Sequence, residues 1–375
     1  MAKALYLLAV LCSLLSQLPA VLDSGFGAAL KAVWLLPFLY MLLTAPRSFL
    51  GGRLAGFYAF VAVFGYYCFV CQMFADGRYF TADLYNIFVS VLMTAVSFVF
   101  WRHHGSAPML QTVALTIAVG ATVLALDVYV EFLRGSDITS QLYAYDDKNS
   151  MAPILLFSAM IVLLFYRPRS PQLRWAAWVS AAAMLAVMVM LRSRATLVSA
   201  LVVLLYYVLR SGNRRVRYWF AALVVVGAFY VLTQASVAEI VLNGILMGGR
   251  TSGDVNDLSS GRVFLVLIAV ARIPDHLWTG VGDYYVDCMP VNILVQYGML
   301  GAVIVFGFLY RLYRRLRRAD RTDAVVSAAY VLYLANLANA LFEARPPFGP
   351  GIRSFMLWMM VGFALAAMDK KKTET

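Results

Sequence analysis

Arg192-Ser193-Arg194 places two arginines around one serine at a tight hairpin between two apolar runs. A guanidinium is a planar fork that meets phosphate oxygens in pairs, so this spacing suits a phosphate clamp. It suits snorkelling equally well, with the stem in apolar surroundings and the head at the membrane surface. Arg250, Arg262, Arg272, Arg345 and Arg353 fall on the same side of the chain's expected topology. That side also holds Asp283, Asp287, Glu343 and a single histidine, His276, each able to accept a proton from a hydroxyl. Outer loops carry acids for solubility as well, and a lone histidine two residues after Pro274 also fits an ordinary loop position. Lys31, Asp127 and Glu131 sit at span ends, where interfacial placement is the simpler reading. Cys68 and Cys71 share a helical face but have no further ligands for zinc, and Cys288 is a lone outer thiol. There is no P-loop, and no Gly-x-Gly-x-x-Gly follows a strand. Gly52-Arg53 lacks the aspartate of the major-facilitator signature.

These groups need elements to position them, and the composition says which kind. Of 375 residues, 62% are hydrophobic and 13% are charged. Soluble domains run at about 45–50% apolar and about 25% charged. A soluble globule, a disordered chain, a coiled coil and a disulfide scaffold are all excluded. At about 20 residues per span, this apolar content fills roughly eleven or twelve membrane helices.

The apolar runs fall near 4–22, 26–45, 54–75, 84–101, 109–126, 152–166, 175–191, 195–209, 218–235, 291–310, 324–342 and 354–368. The first is read as a retained span rather than a cleaved signal. With both termini cytoplasmic, the inner side receives twenty Lys and Arg against four acids, including the arginine-rich loop 311–321. The opposite orientation would break the positive-inside rule. The net charge of +12 is therefore topogenic, and nucleic acid is not expected as a partner. Tyr6, Tyr40, Trp101, Trp175, Tyr218 and Trp219 lie at span ends, where an interfacial aromatic belt is expected.

The expected fold is one all-α integral membrane domain over residues 1–375, with two larger outer pieces, 127–151 and 236–290. Within the second, 236–242 reads as an amphipathic surface helix and 248–257 as turns. Capping residues at Ser259-Ser260 precede a nine-residue apolar run, too short to span, that predicts a half-buried helix. A glycine-rich turn is expected at Gly280-Val281-Gly282. No internal repeat is evident.

Ser259-Ser260-Gly261-Arg262, an apolar helix and Trp278-Thr279-Gly280-Val281-Gly282 together resemble the central motif of the bacterial O-antigen polymerase/ligase superfamily. Asn292-Ile293-Leu294-Val295-Gln296-Tyr297-Gly298-Met299-Leu300-Gly301 continues the likeness, and Leu191–Leu197 is similar to the family's Ser-Arg hairpin. The motifs cover about 190–310; the twelve-span layout, with its large loop between spans nine and ten, covers the chain. The resemblance implies a C-type glycosyltransferase-like fold in the bacterial inner membrane, with its active site facing the periplasm. It implies a saccharide donor and acceptor on undecaprenyl pyrophosphate, the bilayer and a chain-length regulator as partners, and no metal or nucleotide cofactor. Arg192, Arg194 and Arg262 are then expected to hold pyrophosphate, with Arg250, Arg272 and Asn292 as further substrate contacts. Asp283, Asp287, His276 and Glu343 stand as unranked bases. Ligases of the family usually have His before the matching Asn, whereas Val291 stands here, which favours a polymerase. A ligase or a protein oligosaccharyltransferase shares the fold. A transporter is the alternative of another class, and the absence of two similar halves speaks against it.

Overall fold

In a bilayer every backbone N–H and C=O must find a partner within the chain, and a helix pairs them inside one segment. The computed structural model describes residues 1–18, 20–21, 24–74, 81–135, 148–215, 217–222, 233, 261–320, 323–349 and 354–374. Its principal elements are all helical. They are α1 (Ala2–Leu15), α2 (Phe26–Ala32), α3 (Leu35–Thr44), α4 (Pro46–Phe49), α5 (Ala55–Phe74), α6 (Thr81–His104) and α7 (Ala107–Leu133). Then follow α8 (Lys148–Phe165), α9 (Pro171–Met190), α10 (Arg194–Arg210), α11 (Arg262–Arg272), α12 (Met289–Ala319), α13 (Ala324–Ala340) and α14 (Phe355–Glu374).

Among the described residues, five stretches are long and apolar enough to cross a membrane: Ala55–Met73, Asp83–His104, Ala107–Leu133, Pro171–Met190 and Met289–Ala319. Shorter apolar helices accompany them, including Ala2–Leu15, Met151–Phe165 and Ala324–Ala340. The chain is a polytopic helical membrane protein. Most of the apolar run 218–235 lies outside the described residues, as do the amphipathic stretch 236–242, the turns 248–257, Ser259, Ser260, Arg250 and Arg353.

The core centres on α14, which pairs most extensively with α6 and also packs on α13. A Cβ at Gly362 of α14 would stand 2.5 Å from the Thr94 carbonyl oxygen of α6, so glycine sets how closely these helices approach. On the far side of α13 lies α10, while α12 packs between α13 and α5. Near the N-terminus, the Tyr6 ring stacks on Phe100 at 3.8 Å between centroids, and its hydroxyl pairs with Ser97 Oγ at 2.7 Å.

Four expectations need correction. Tyr6 and Trp101 are buried rather than belt residues; only Trp175, Tyr218 and Trp219 stand well exposed. The first run stops as a helix at Leu15, where the Ser16 hydroxyl takes the Ser13 carbonyl and competes with the helical ladder. The second run is two helices, parted where the buried Trp34 indole donates to Ser13 Oγ. The arginines from Arg311 to Arg318 are not in a loop: α12 continues through them to Ala319, and Arg311, Arg314, Arg315 and Arg318 recur at the spacing of one helical face.

Candidate active site

At the start of α12, Cys288 opens the helix and Pro290 sits in its first turn, where a missing N–H costs nothing. The helix then breaks at Gly298, whose φ of 59° and ψ of −168° are non-helical. A break inside an apolar helix frees backbone groups, and the segment 277–282 takes them up. Val281 N–H donates to the Val295 carbonyl at 2.7 Å, and Gly282 N–H to that of Gln296 at 3.0 Å. In return, Met299 N–H reaches the Leu277 carbonyl at 2.8 Å and Leu300 N–H that of Trp278 at 3.3 Å. The Tyr67 hydroxyl of α5 donates to the Tyr297 carbonyl at the break.

Gly280 and Gly298 face each other across this seam. Gly280 has φ of 77°, and a Cβ on it would lie 2.4 Å from the Gln296 carbonyl carbon. A Cβ on Gly298 would lie 2.5 Å from the Trp278 carbonyl carbon. Both positions demand glycine on conformation and on space. The Trp278–Gly282 and Asn292–Gly301 motifs are thus two sides of one backbone seam.

Asn292 fixes the loop above it. Its Oδ1 accepts from Val286 N–H at 3.0 Å and its Nδ2 donates to Gln296 Oε1 at 3.1 Å; Gln296 in turn donates to the Tyr284 carbonyl. Both ends of the buried amide therefore hold segment 284–288. Beneath that segment, Ala269 of α11 is buried against Val286 and Val295, with Val266 and Ile273 alongside. This small apolar cluster docks α11 and sets where its first residue, Arg262, projects.

Arg262 follows Gly261, the helix N-cap, which has φ of 77°. An arginine here lies against the positive end of the helix dipole, so carboxylates must stabilise it. Arg262 Nε lies 3.2 Å from Asp287 Oδ2, and its Nη2 lies 2.9 Å from Glu343 Oε1. Burial works against the guanidinium's charge, but Glu343 and Asp287 outweigh it and hold Arg262 above the ordinary arginine range. The Tyr285 side chain is exposed, yet its hydroxyl, also bonded to Asp287, is held above the usual phenol range, first by desolvation around the hydroxyl and then by that carboxylate. Met289 N–H caps the Glu343 carbonyl at 3.0 Å, tying the α13–α14 connection to the start of α12. The Arg345 guanidinium lies over the Tyr285 ring at 5.7 Å.

Three residues singled out from the sequence for different chemistry, Arg262, Asp287 and Glu343, share one set of hydrogen bonds. The other described candidates lie on other turns and helix ends. Arg192 and Arg194 occupy the α9–α10 hairpin, whose Ser193 hydroxyl donates to Asn149 of α8 at 2.8 Å. Arg192 is exposed and holds φ of 51°, a left-handed conformation unusual outside glycine. Arg272, at the far end of α11, lies over the Tyr284 ring at 4.9 Å. His276 and Asp283 are exposed on the loop. Sequence reasoning passed over Tyr285 and Tyr67, since a tyrosine among aromatics carries no motif of its own.

Fold and site together define a polytopic membrane protein with a charged cluster seated at one end of a broken helix. No protein-family model matches the chain, and no curated protein matches it.

Proposed function

We propose that the chain is an integral membrane glycosyltransferase that polymerises undecaprenyl-pyrophosphate-linked oligosaccharide repeat units at the periplasmic face of the bacterial inner membrane. The observation that carries this reading is the Arg262–Asp287–Glu343 cluster. It sets a phosphate-binding cation beside proton-accepting carboxylates on a loop resembling that of the O-antigen polymerases.

In the reaction, an acceptor sugar hydroxyl attacks the anomeric carbon of the donor. The new C–O bond forms as the bond from that carbon to the pyrophosphate breaks. The hydroxyl proton passes to a carboxylate, and the charge left on the pyrophosphate is stabilised by Arg262. Asp287 is the better placed base, because its side chain is 25% exposed against 12% for Glu343. Glu343, deeper and anchored through its backbone, positions Arg262. Arriving pyrophosphate competes with Asp287 for the guanidinium, so donor binding frees the base that the next step uses.

The test is reconstitution of the purified protein with lipid-linked repeat units and no other enzyme. A ladder of lipid-linked multiples supports the reading. Unchanged repeat unit moved across the vesicle membrane would make the protein a transporter.

A further inference from the structure

The opposite end of α12 carries a second site with different chemistry. Arg311, Arg314, Arg315 and Arg318 line one helical face, and Arg53 joins them from the turn before α5. Together they surround an open basin of about 580 Å³. Like charges three and four residues apart repel, so such a face costs stability unless an anion compensates. Among the described residues, the nearby acids do little of this. Asp320 lies 2.6 Å from Arg210, and Asp369 is divided between Arg53 at 3.6 Å and Arg102 at 3.3 Å. Arg53 and Arg315 are also braced by backbone, with Arg53 Nη2 on the Met368 carbonyl at 3.2 Å and Arg315 Nη1 on the Arg53 carbonyl at 3.1 Å.

The basin does not end at the arginines. Arg311 and Arg315 are shared with a groove of about 500 Å³ between α5 and α12, lined by Gly56, Phe60, Val63, Ile304, Gly307 and Phe308. Small residues at 56 and 307 open it: a Cβ at either would meet nothing within 4 Å. Apart from its two arginines the groove lining is apolar, and it runs along helices of spanning length. A phosphate-bearing head beside an apolar chain fits this pairing of basin and groove, as basic pockets between membrane helices fit anionic lipids. We infer that α5 and α12 form a site for one anionic phospholipid, its phosphate among the arginines and an acyl chain in the groove. On the positive-inside orientation this lipid belongs to the cytoplasmic leaflet. The site is separate from the Arg262 cluster and does not rest on the glycosyltransferase reading.

The experiment uses the full chain in vesicles of equal phosphatidylglycerol and phosphatidylcholine, followed by extraction and native mass spectrometry of the lipid that stays bound. Wild type should retain phosphatidylglycerol about tenfold over phosphatidylcholine. Arg311→Gln with Arg314→Gln should bring that ratio to about one, since both contribute charge to the basin without the bracing bonds of Arg53 and Arg315. Gly307→Leu, or Gly56→Leu in its place, should fill the groove and release the lipid with every arginine intact. Equal retention of the two lipids by wild type would overturn the site. So would displacement by millimolar inorganic phosphate with no effect of Gly307→Leu, which would make it a free-anion site. Preferential retention of a polyprenyl phosphate added to the same vesicles would overturn the phospholipid assignment.

Discussion

Arg262 and Glu343 are 81 residues apart in the chain, and Nη2 of the first lies 2.9 Å from Oε1 of the second. The bond joins the start of α11 to the connection between α13 and α14, with Asp287 closing the cluster from the segment before α12. Three separate chain segments therefore meet at one guanidinium.

Removing that guanidinium should remove activity. Arg262→Ala is expected to lower polymer formation by at least about 100-fold, the usual loss when one group stabilising transition-state charge is deleted. Arg262→Lys keeps the charge but loses the fork, and should remain impaired by about tenfold. Both are read from gel ladders at matched protein levels in the membrane. Full activity of the Lys variant would mean that charge alone is needed.

The glycine seam gives a prediction about folding. Gly280→Ala and Gly298→Ala each force a Cβ to within 2.4–2.5 Å of backbone atoms at positive φ. Each should destabilise the protein by about 2 kcal/mol or more. Gly307→Ala, with open space around its Cβ, should be silent. Melting followed by fluorescence-detected size exclusion makes the comparison; equal melting temperatures for all three would refute the seam.

Asn292→Ala would leave Val286 N–H without its side-chain acceptor and Gln296 without its donor. A loss of about 1–3 kcal/mol follows from such unmade bonds. Proteolysis should show segment 284–288 cleaved sooner than in the wild type, with the helical bundle intact.

Tyr285 supplies the pH prediction. Its folded pKa lies above the ordinary phenol value, so its hydroxyl bond to Asp287 is fully present below about pH 10 and is lost only as pH climbs through the raised value. Tyr285→Phe should lower the rate about tenfold or less, by an amount constant from about pH 6 to 9. Parallel pH–rate profiles are expected. A wild-type profile falling to the Phe level within that range would show that the phenol ionises there.

Composition makes the helical membrane architecture legible, because 62% hydrophobic residues in runs near twenty leave no other way to pair the backbone. Arg262, Asp287 and Glu343 stand out by type and by loop position. Their convergence is not legible, since nothing local in a chain says which loops meet. The break at Gly298 is hidden for a related reason: Gly-Met-Leu-Gly is compatible with a continuous helix until the Trp278–Gly282 segment is known to lie beside it. The arginines after Arg311 read as a loop by charge, yet leucines at 312 and 316 carry α12 on by packing into the core. Tyr6 and Trp101 read as belt residues because span ends look alike from either side. Burial depends on the neighbouring helices, here Phe100 beside Tyr6 and Phe363 beside Trp101.

The most direct measurement reconstitutes wild type, Asp287→Asn and Glu343→Gln with purified lipid-linked repeat units and scores both donor retention and the ladder. Wild type should give a ladder, Glu343→Gln a weakened ladder, and Asp287→Asn donor that is bound but not extended. A full ladder from Asp287→Asn, or no ladder from folded wild type, would contradict the proposed mechanism.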